Sequence, residues 1–210
     1  MGDKLEATYL RLFMRCLIVT AHPLANSLCQ SLVSTACETL QQLGHQVELE
    51  DLYAHQFAPA LTRTEREAYY QTSYDTTSVR AQTKRLIDAE ALVLCFPTWW
   101  FGFPAILKGW FDRVWVPGVA YDHASDLGAI KPRLKNLKHV LVITSLGSPW
   151  WVDKFIMRQP VKRILKTAIL GTCAPQAKFE MLSIYSSEKL ASTQVERFQK
   201  RMTDKLSAWK

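Results

Sequence analysis

The chain has 210 residues, 48% hydrophobic and 21% charged, an ordinary globular composition that supports a sizeable core and one domain by default. Its formal net charge of +7 is spread among apolar residues rather than gathered in a tract, which argues for a solvated basic surface and against a nucleic-acid partner, although a basic rim can attract an anionic cosubstrate such as a dinucleotide phosphate. The most apolar stretch, Ala91–Leu107, is interrupted by Pro97, Gly102 and Pro104 and is short for a membrane span, so the expectation is a soluble protein.

Residues 1–13 have a mixed composition without the continuous apolar core of a signal peptide. They read either as a mobile N-terminal extension or as a matter of start site, with Met14 the effective beginning, and 14–210 as one domain. Cys16–Thr20, CLIVT, is a short β-branched run of the kind buried on both faces of a parallel sheet. His22 and Pro23 end it, Asn26 or Ser27 can cap a helix to about Leu43, and Gly44 can stop that helix. Gln46–Leu52 reads as a second strand. Tyr53–Ser78 reads as an irregular excursion, a lid or contact surface, with a weak helical hint at Thr64–Tyr70.

Val79–Asp88 predicts a helix, Ala91–Phe96 a strand and Pro104–Val114 a helix, with Pro104 suited to open it. Pro117–Pro132 predicts a long loop or hairpin, and His139–Thr144 a further strand. Asp153–Leu170 carries apolar residues near the helical period apart from Pro160, with Gly171 as its terminator. Lys178–Ile184 supplies a last strand and Glu188–Trp209 a closing amphipathic helix. This alternation predicts an α/β fold, a doubly wound open sheet of about five parallel strands with helices on both faces.

Three strand-to-helix junctions, Ala21–Cys29, Pro97–Phe101 and Thr144–Pro149, fall at the same carboxyl edge of such a sheet, where open α/β folds bind ligands. In the first, Ser27 and the unpaired N–H groups at the helix start can receive a phosphate, with His22 as a further donor; the same residues also fit a routine N-cap beside a surface histidine. The second concentrates Trp99, Trp100 and Phe101, which fit either a planar ligand or the core. The third offers Thr144, Ser145 and Gly147 as short side chains and accessible backbone at a ring edge, or as an ordinary turn. GxGxxG and GxxxxGK[ST] are both missing, which counts against a Rossmann or P-loop site. The five cysteines form no CxxC pair and leave one unpaired in any full disulfide scheme, pointing to a reducing cytoplasmic compartment, and no metal-ligand set is read.

AHPxxxxSL at Ala21–Leu28, FPTWWFGFPAILKGWFDRV at Phe96–Val114 and TSLGS at Thr144–Ser148 resemble the flavodoxin-like NAD(P)H:quinone oxidoreductases, which include mammalian quinone reductases and bacterial potassium-efflux ancillary reductases. The likeness runs from about Met14 through Ser148 and weakens beyond. It implies a flavodoxin-like fold with flavin phosphate held by His22 and Ser27 and by backbone of Leu28 and Cys29. It also implies an isoalloxazine loop of Pro97, Thr98, Trp99, Trp100 and Phe101, and pyrimidine-edge contacts from Thr144, Ser145 and Gly147. Leu28 and Cys29 stand where mammalian members have Phe and Asn. The mammalian Tyr and His that assist hydride transfer have no counterpart in SPWWVDKFIMRQP, where Trp150 and Trp151 stand instead, so no catalytic residue is assigned.

The function implied is two-electron transfer from NAD(P)H as cosubstrate, through flavin, to a quinone-like small-molecule acceptor. FMN is the expected cofactor and FAD the alternative, since no residue can be tied to an adenine. Resemblance also implies a homodimer. Two rival functions stay open: a flavin-binding regulatory subunit docked on a membrane transporter, and a one-electron flavodoxin-type carrier.

Overall fold

The computed structural model describes residues 13–71, 74–124 and 128–209, so the extension expected over 1–13 lies outside the described residues except for Phe13. Five strands form one parallel sheet: β1 (Arg15–Thr20), β2 (Gln46–Asp51), β3 (Ala91–Pro97), β4 (His139–Ser145) and β5 (Lys178–Ile184). Their spatial order is β2-β1-β3-β4-β5. This is the doubly wound order in which the connections reverse direction between β1 and β3.

The interior strands are long apolar runs because both of their faces are covered. Leu17, Val19, Leu92, Leu94, Val140 and Val142 point into one core; Cys16, Ile18, Val93, Cys95, Leu141 and Ile143 point into the other. The first core is roofed by α3 (Arg80–Asp88), α4 (Ala105–Val114) and the chain around α5 (Pro160–Arg163), after the short α2 (Arg63–Ala68). The second is roofed by α1 (Leu28–Gln42) and by α7 (Ser192–Ser207), which follows α6 (Gly171–Cys173). Each fully buried Leu or Ile in these layers contributes roughly 1.5–3 kcal/mol.

The excursion after β2 is more ordered than its polar sequence predicts. Thr62 and Glu65 close a reciprocal cap, with Glu65 N donating to Thr62 Oγ1 at 3.1 Å and Thr62 N donating to Glu65 Oε2 at 2.7 Å, so α2 begins at Arg63. Arg113 of α4 then reaches Glu65 Oε1 at 2.6 Å and the carbonyl of Ala58 at 2.5 Å, pinning the segment to the core. Pro59 presses so closely on α4 that a Cβ at Gly109 would clash with the Pro59 carbonyl oxygen, which explains a glycine inside a helix. Within 117–132 two short strands, Tyr121–Asp122 and Lys131–Pro132, pair antiparallel.

The helix expected over Asp153–Leu170 is broken. Val152–Ile156 forms one wide π-type turn, Arg158 and Gln159 adopt left-handed φ values of 56° and 49°, and a new helix begins at Pro160. Proline disfavours the helical region for the residue before it and has no N–H to continue the ladder, so the periodicity on either side cannot join. Gly171 does not end the second helix either: with φ of −57° it continues through Ile164–Leu170 into α6. The closing helix starts later than Glu188, at Ser192, where Gln194 Oε1 accepts from Ala191 N at 2.9 Å. No described helix is long and apolar enough to cross a membrane.

Candidate functional site

The three junctions leave neighbouring strands in register. Thr20 pairs with Cys95, Phe96 with Thr144 and Pro97 with Ser145. Just beyond, Ala21 N donates to the Cys95 carbonyl at 3.2 Å and Thr98 N to the Ser145 carbonyl at 2.8 Å. With strands roughly 4.8 Å apart, the three turns begin within about 10 Å of one another at the sheet's switch point.

At the first junction Ser27 is the N-cap of α1. Its Oγ accepts from Gln30 N at 3.2 Å, and the first intrahelical bond runs from Ser31 N to the Ser27 carbonyl at 3.1 Å. The N–H groups of Leu28 and Cys29 therefore have no helical partner and point out with the positive end of the helix dipole. The Ser27 hydroxyl hydrogen remains available to an anion. His22 makes both of its local contacts through Nδ1, which lies 3.1 Å from Leu24 N and 3.3 Å from the Leu24 carbonyl, so Nε2 meets no partner among the described residues. Cys29 turns its side chain inward, with Sγ 3.7 Å from Thr20 Oγ1 and 3.4 Å from Cys95 Sγ, so it can serve a ligand only through its backbone. The adjacent Cys29 thiol together with burial pushes the Cys95 thiol well above its usual range and keeps it protonated.

At the second junction Pro97 is the buried last residue of β3, and Thr98 leads into a tight turn. Gly102 N donates to the Trp99 carbonyl at 2.9 Å, and the central residues Trp100 and Phe101 have φ values of 50° and 56°, the signature of a type I′ turn. Bulky residues in the left-handed region cost on the order of 1–3 kcal/mol each and persist where surrounding structure over-determines them. Here the turn holds the Trp100 side chain 100% exposed, with Trp99 at 42%. Phe103, by contrast, packs against Phe96 and Phe111 in the core. The aromatic loop thus divides into an outward ring and an inward anchor.

At the third junction Thr144 is 1% exposed, and its Oγ1 lies 2.6 Å from Thr98 Oγ1. Its side chain therefore positions the aromatic loop; it does not face outward. Ser145 is half-buried and Gly147 exposed. A cleft of about 180 Å³ opens between the two turns, lined by Thr98, Trp100, Phe101, Leu146, Gly147 and Ser148. Ser148 Oγ is buried and meets no hydrogen-bond partner among the described residues.

An orphaned hydroxyl in the cleft wall, a flat ring held outward and two spare helix N–H groups nearby fit a ligand with a polar-edged planar ring and an anionic tail. That is the chemistry of a flavin that carries a phosphate. Leu146 and Ser148 belong to this wall although the sequence reading singled out only Thr144, Ser145 and Gly147; their signal was membership of TSLGS itself. A larger cavity of about 1020 Å³, lined in part by Thr83, Ile87, Val119 and His123, lies beside α3 and the segment 117–124 and includes none of the three junctions.

A family model described as "Flavodoxin-like fold" matches residues 14–206. NAD(P)H dehydrogenase [quinone] 1 of Cavia porcellus is 35% identical over 150 residues, covering 64% of this chain and 54% of the relative. The chain spans about half the length of the curated relatives it matches. Among solved structures, the NAD(P)H:quinone oxidoreductase from Methanothermobacter marburgensis superposes with a TM-score of 0.79 at 25% identity, covering 92% of this chain and 94% of that one. The FMN-dependent NADH-azoreductase of Bacillus anthracis, solved with FMN, shares the fold with a TM-score of 0.74 at 18% identity, covering 92% of this chain and 98% of that one.

Proposed function

The chain belongs to the flavodoxin-like family, and from that premise we propose that it is a flavin-dependent NAD(P)H oxidoreductase that reduces a quinone or similar small acceptor. The observation that carries this reading is the convergence of the α1 N-terminus, the left-handed Trp99–Gly102 turn and the Thr144–Ser148 turn on one edge of the sheet. FMN is the cofactor we assign, with FAD as the alternative, since the first junction offers donors for one phosphate group and no residue for an adenine.

His22 Nε2, the Ser27 hydroxyl and the N–H groups of Leu28 and Cys29 would hold the phosphate. Trp99, Trp100 and Phe101 would flank the ring, and the backbone of Ser145, Leu146 and Gly147, with Ser148 Oγ, would meet its polar edge. Bound flavin supplies hydride acceptance at N5 and onward two-electron delivery. The protein's part is to orient the donor, exclude water and offer hydrogen bonds where negative charge collects on the ring.

We further propose a homodimer, because a fully exposed Trp100 beside the cleft suits a wall completed by a second copy. The odd set of five cysteines supports a reducing, cytoplasmic setting. Anaerobic stopped-flow mixing of the flavin-loaded protein with NADPH or NADH tests the activity. Rapid bleaching of the visible absorbance, restored by a soluble quinone, is the expected result; a spectrum left unchanged by both donors would overturn the assignment.

A further inference from the structure

A second cleft, of about 610 Å³, runs along the outer edge of β5. Trp150, Lys154, Lys162, Ser183, Tyr185 and Arg201 are among its walls, so among the described residues three cations line it and no carboxylate does. The nearest acids in sequence and strand position have partners of their own, Asp153 directly behind the wall residue Tyr185. Asp153 is buried and accepts from Tyr185 Oη at 2.9 Å, and Glu180 pairs with Lys205. Lys154 Nζ lies 5.4 Å from the centre of the half-exposed Trp150 ring.

The strand adds its own donors. Ile184 turns its carbonyl to Leu146 N and Lys178 turns its N–H to the Lys138 carbonyl, so the even-numbered residues of β5 face β4. The main-chain N–H groups of Met181 and Ser183 therefore point the other way, to the open edge where the cleft lies. A cationic groove with a flat indole and outward N–H groups is matched to an adenosine phosphate: anion on the cations and N–H groups, purine on the ring.

Position decides which adenosine phosphate. Ser148 lines the ring cleft and Trp150 lines this one, two residues and at most about 7 Å of chain apart. The phosphate donors of the first junction, at the end of β1, are three strands away, about 14 Å. The groove is thus next to the end where a nicotinamide would meet the flavin ring and remote from the end that carries the flavin's own phosphate.

We propose that the β5-edge cleft seats the adenosine phosphates of the nicotinamide dinucleotide donor, with Lys162 and Arg201 holding the phosphates and Trp150 the adenine. This rests on the oxidoreductase reading for its biological meaning, but adenosine diphosphate binding can be measured without turnover. Isothermal titration of ADP into the FMN-loaded full chain should show saturable binding, weakened tenfold or more by Lys162→Gln or Arg201→Gln and by Trp150→Leu, with flavin affinity unchanged. In steady state the two charge variants should raise KM for NADPH by a similar factor at unchanged kcat.

ADP affinity that is the same in all three variants overturns the seat. Inorganic pyrophosphate binding as tightly as ADP, with no effect of Trp150→Leu, overturns the nucleotide assignment in favour of a plain anion groove. ADP binding of the expected pattern in a protein that never oxidises NADPH supports the seat while refuting the oxidoreductase reading, so the two failures are distinguishable.

Discussion

Thr98 and Thr144 hold their hydroxyl oxygens 2.6 Å apart, joining the aromatic loop after β3 to the turn after β4. Both side chains arise from register: Phe96 pairs with Thr144, so the chain that continues past Pro97 delivers Thr98 beside it. One hydroxyl donates, the other accepts, and the outward ring of Trp100 inherits its position from a bond two residues away.

Thr144→Val keeps the shape and removes that bond. A neutral hydrogen bond of about 0.5–1.5 kcal/mol predicts flavin affinity reduced roughly twofold to tenfold. Fluorescence titration with FMN checks it; unchanged affinity would mean that the aromatic loop is held by the main-chain bond from Thr98 to Ser145 alone.

Ser27 carries two duties that can be separated. Ser27→Asp retains a good N-cap, so the melting temperature should stay near wild type, yet it sets a negative charge where a phosphate would lie and should abolish flavin binding. Ser27→Ala loses the cap at about 1 kcal/mol and a charge-assisted bond of roughly 1.5–3 kcal/mol, weakening flavin about ten- to a hundredfold. Thermal melts beside flavin titrations read both; an Asp variant that binds FMN normally would remove Ser27 from the site.

Trp100 sits at φ of 50°, a region that glycine adopts without penalty. Trp100→Gly should therefore preserve or raise the melting temperature while weakening flavin binding, whereas Trp100→Ala should weaken binding and retain the backbone strain. Equal flavin affinity in wild type and both variants would show that the exposed indole does not touch the cofactor.

Glu65 is 7% exposed, and although burial alone would raise its pKa, Arg113, Thr62 and Ser78 hold it down to about 2. A carboxylate depressed by folding contributes stability that is full above its unfolded value near 4.5 and is lost as pH falls from there towards 2. Denaturant melts across that window should show the loss, and Glu65→Gln should flatten it. Arg113→Leu strands the buried carboxylate and should cost about 3–5 kcal/mol at neutral pH. A much smaller loss would mean that water reaches Glu65.

The layers were legible because CLIVT, ALVLCF and HVLVIT are short apolar runs rich in β-branched residues, a pattern that suits interior parallel strands. The place of the aromatic turn was legible from Pro97 and Pro104. Its left-handed turn was not, since Trp100 and Phe101 carry none of the Gly or Asn signal that such turns usually show. The role of Glu65 was hidden because its partner Arg113 lies 48 residues on. At Pro160 the helical spacing of the flanking residues outweighed a breaker that the fold obeys. Trp150, Lys162 and Arg201 meet only once β5 becomes an edge, so their groove has no linear signature at all.

The absorbance spectrum of freshly purified protein, repeated after incubation with FMN and with FAD and removal of the excess, tests the central claim most directly. A retained yellow chromophore, released on denaturation and identified by chromatography as FMN, is the predicted result. A colourless polypeptide after both incubations would contradict it.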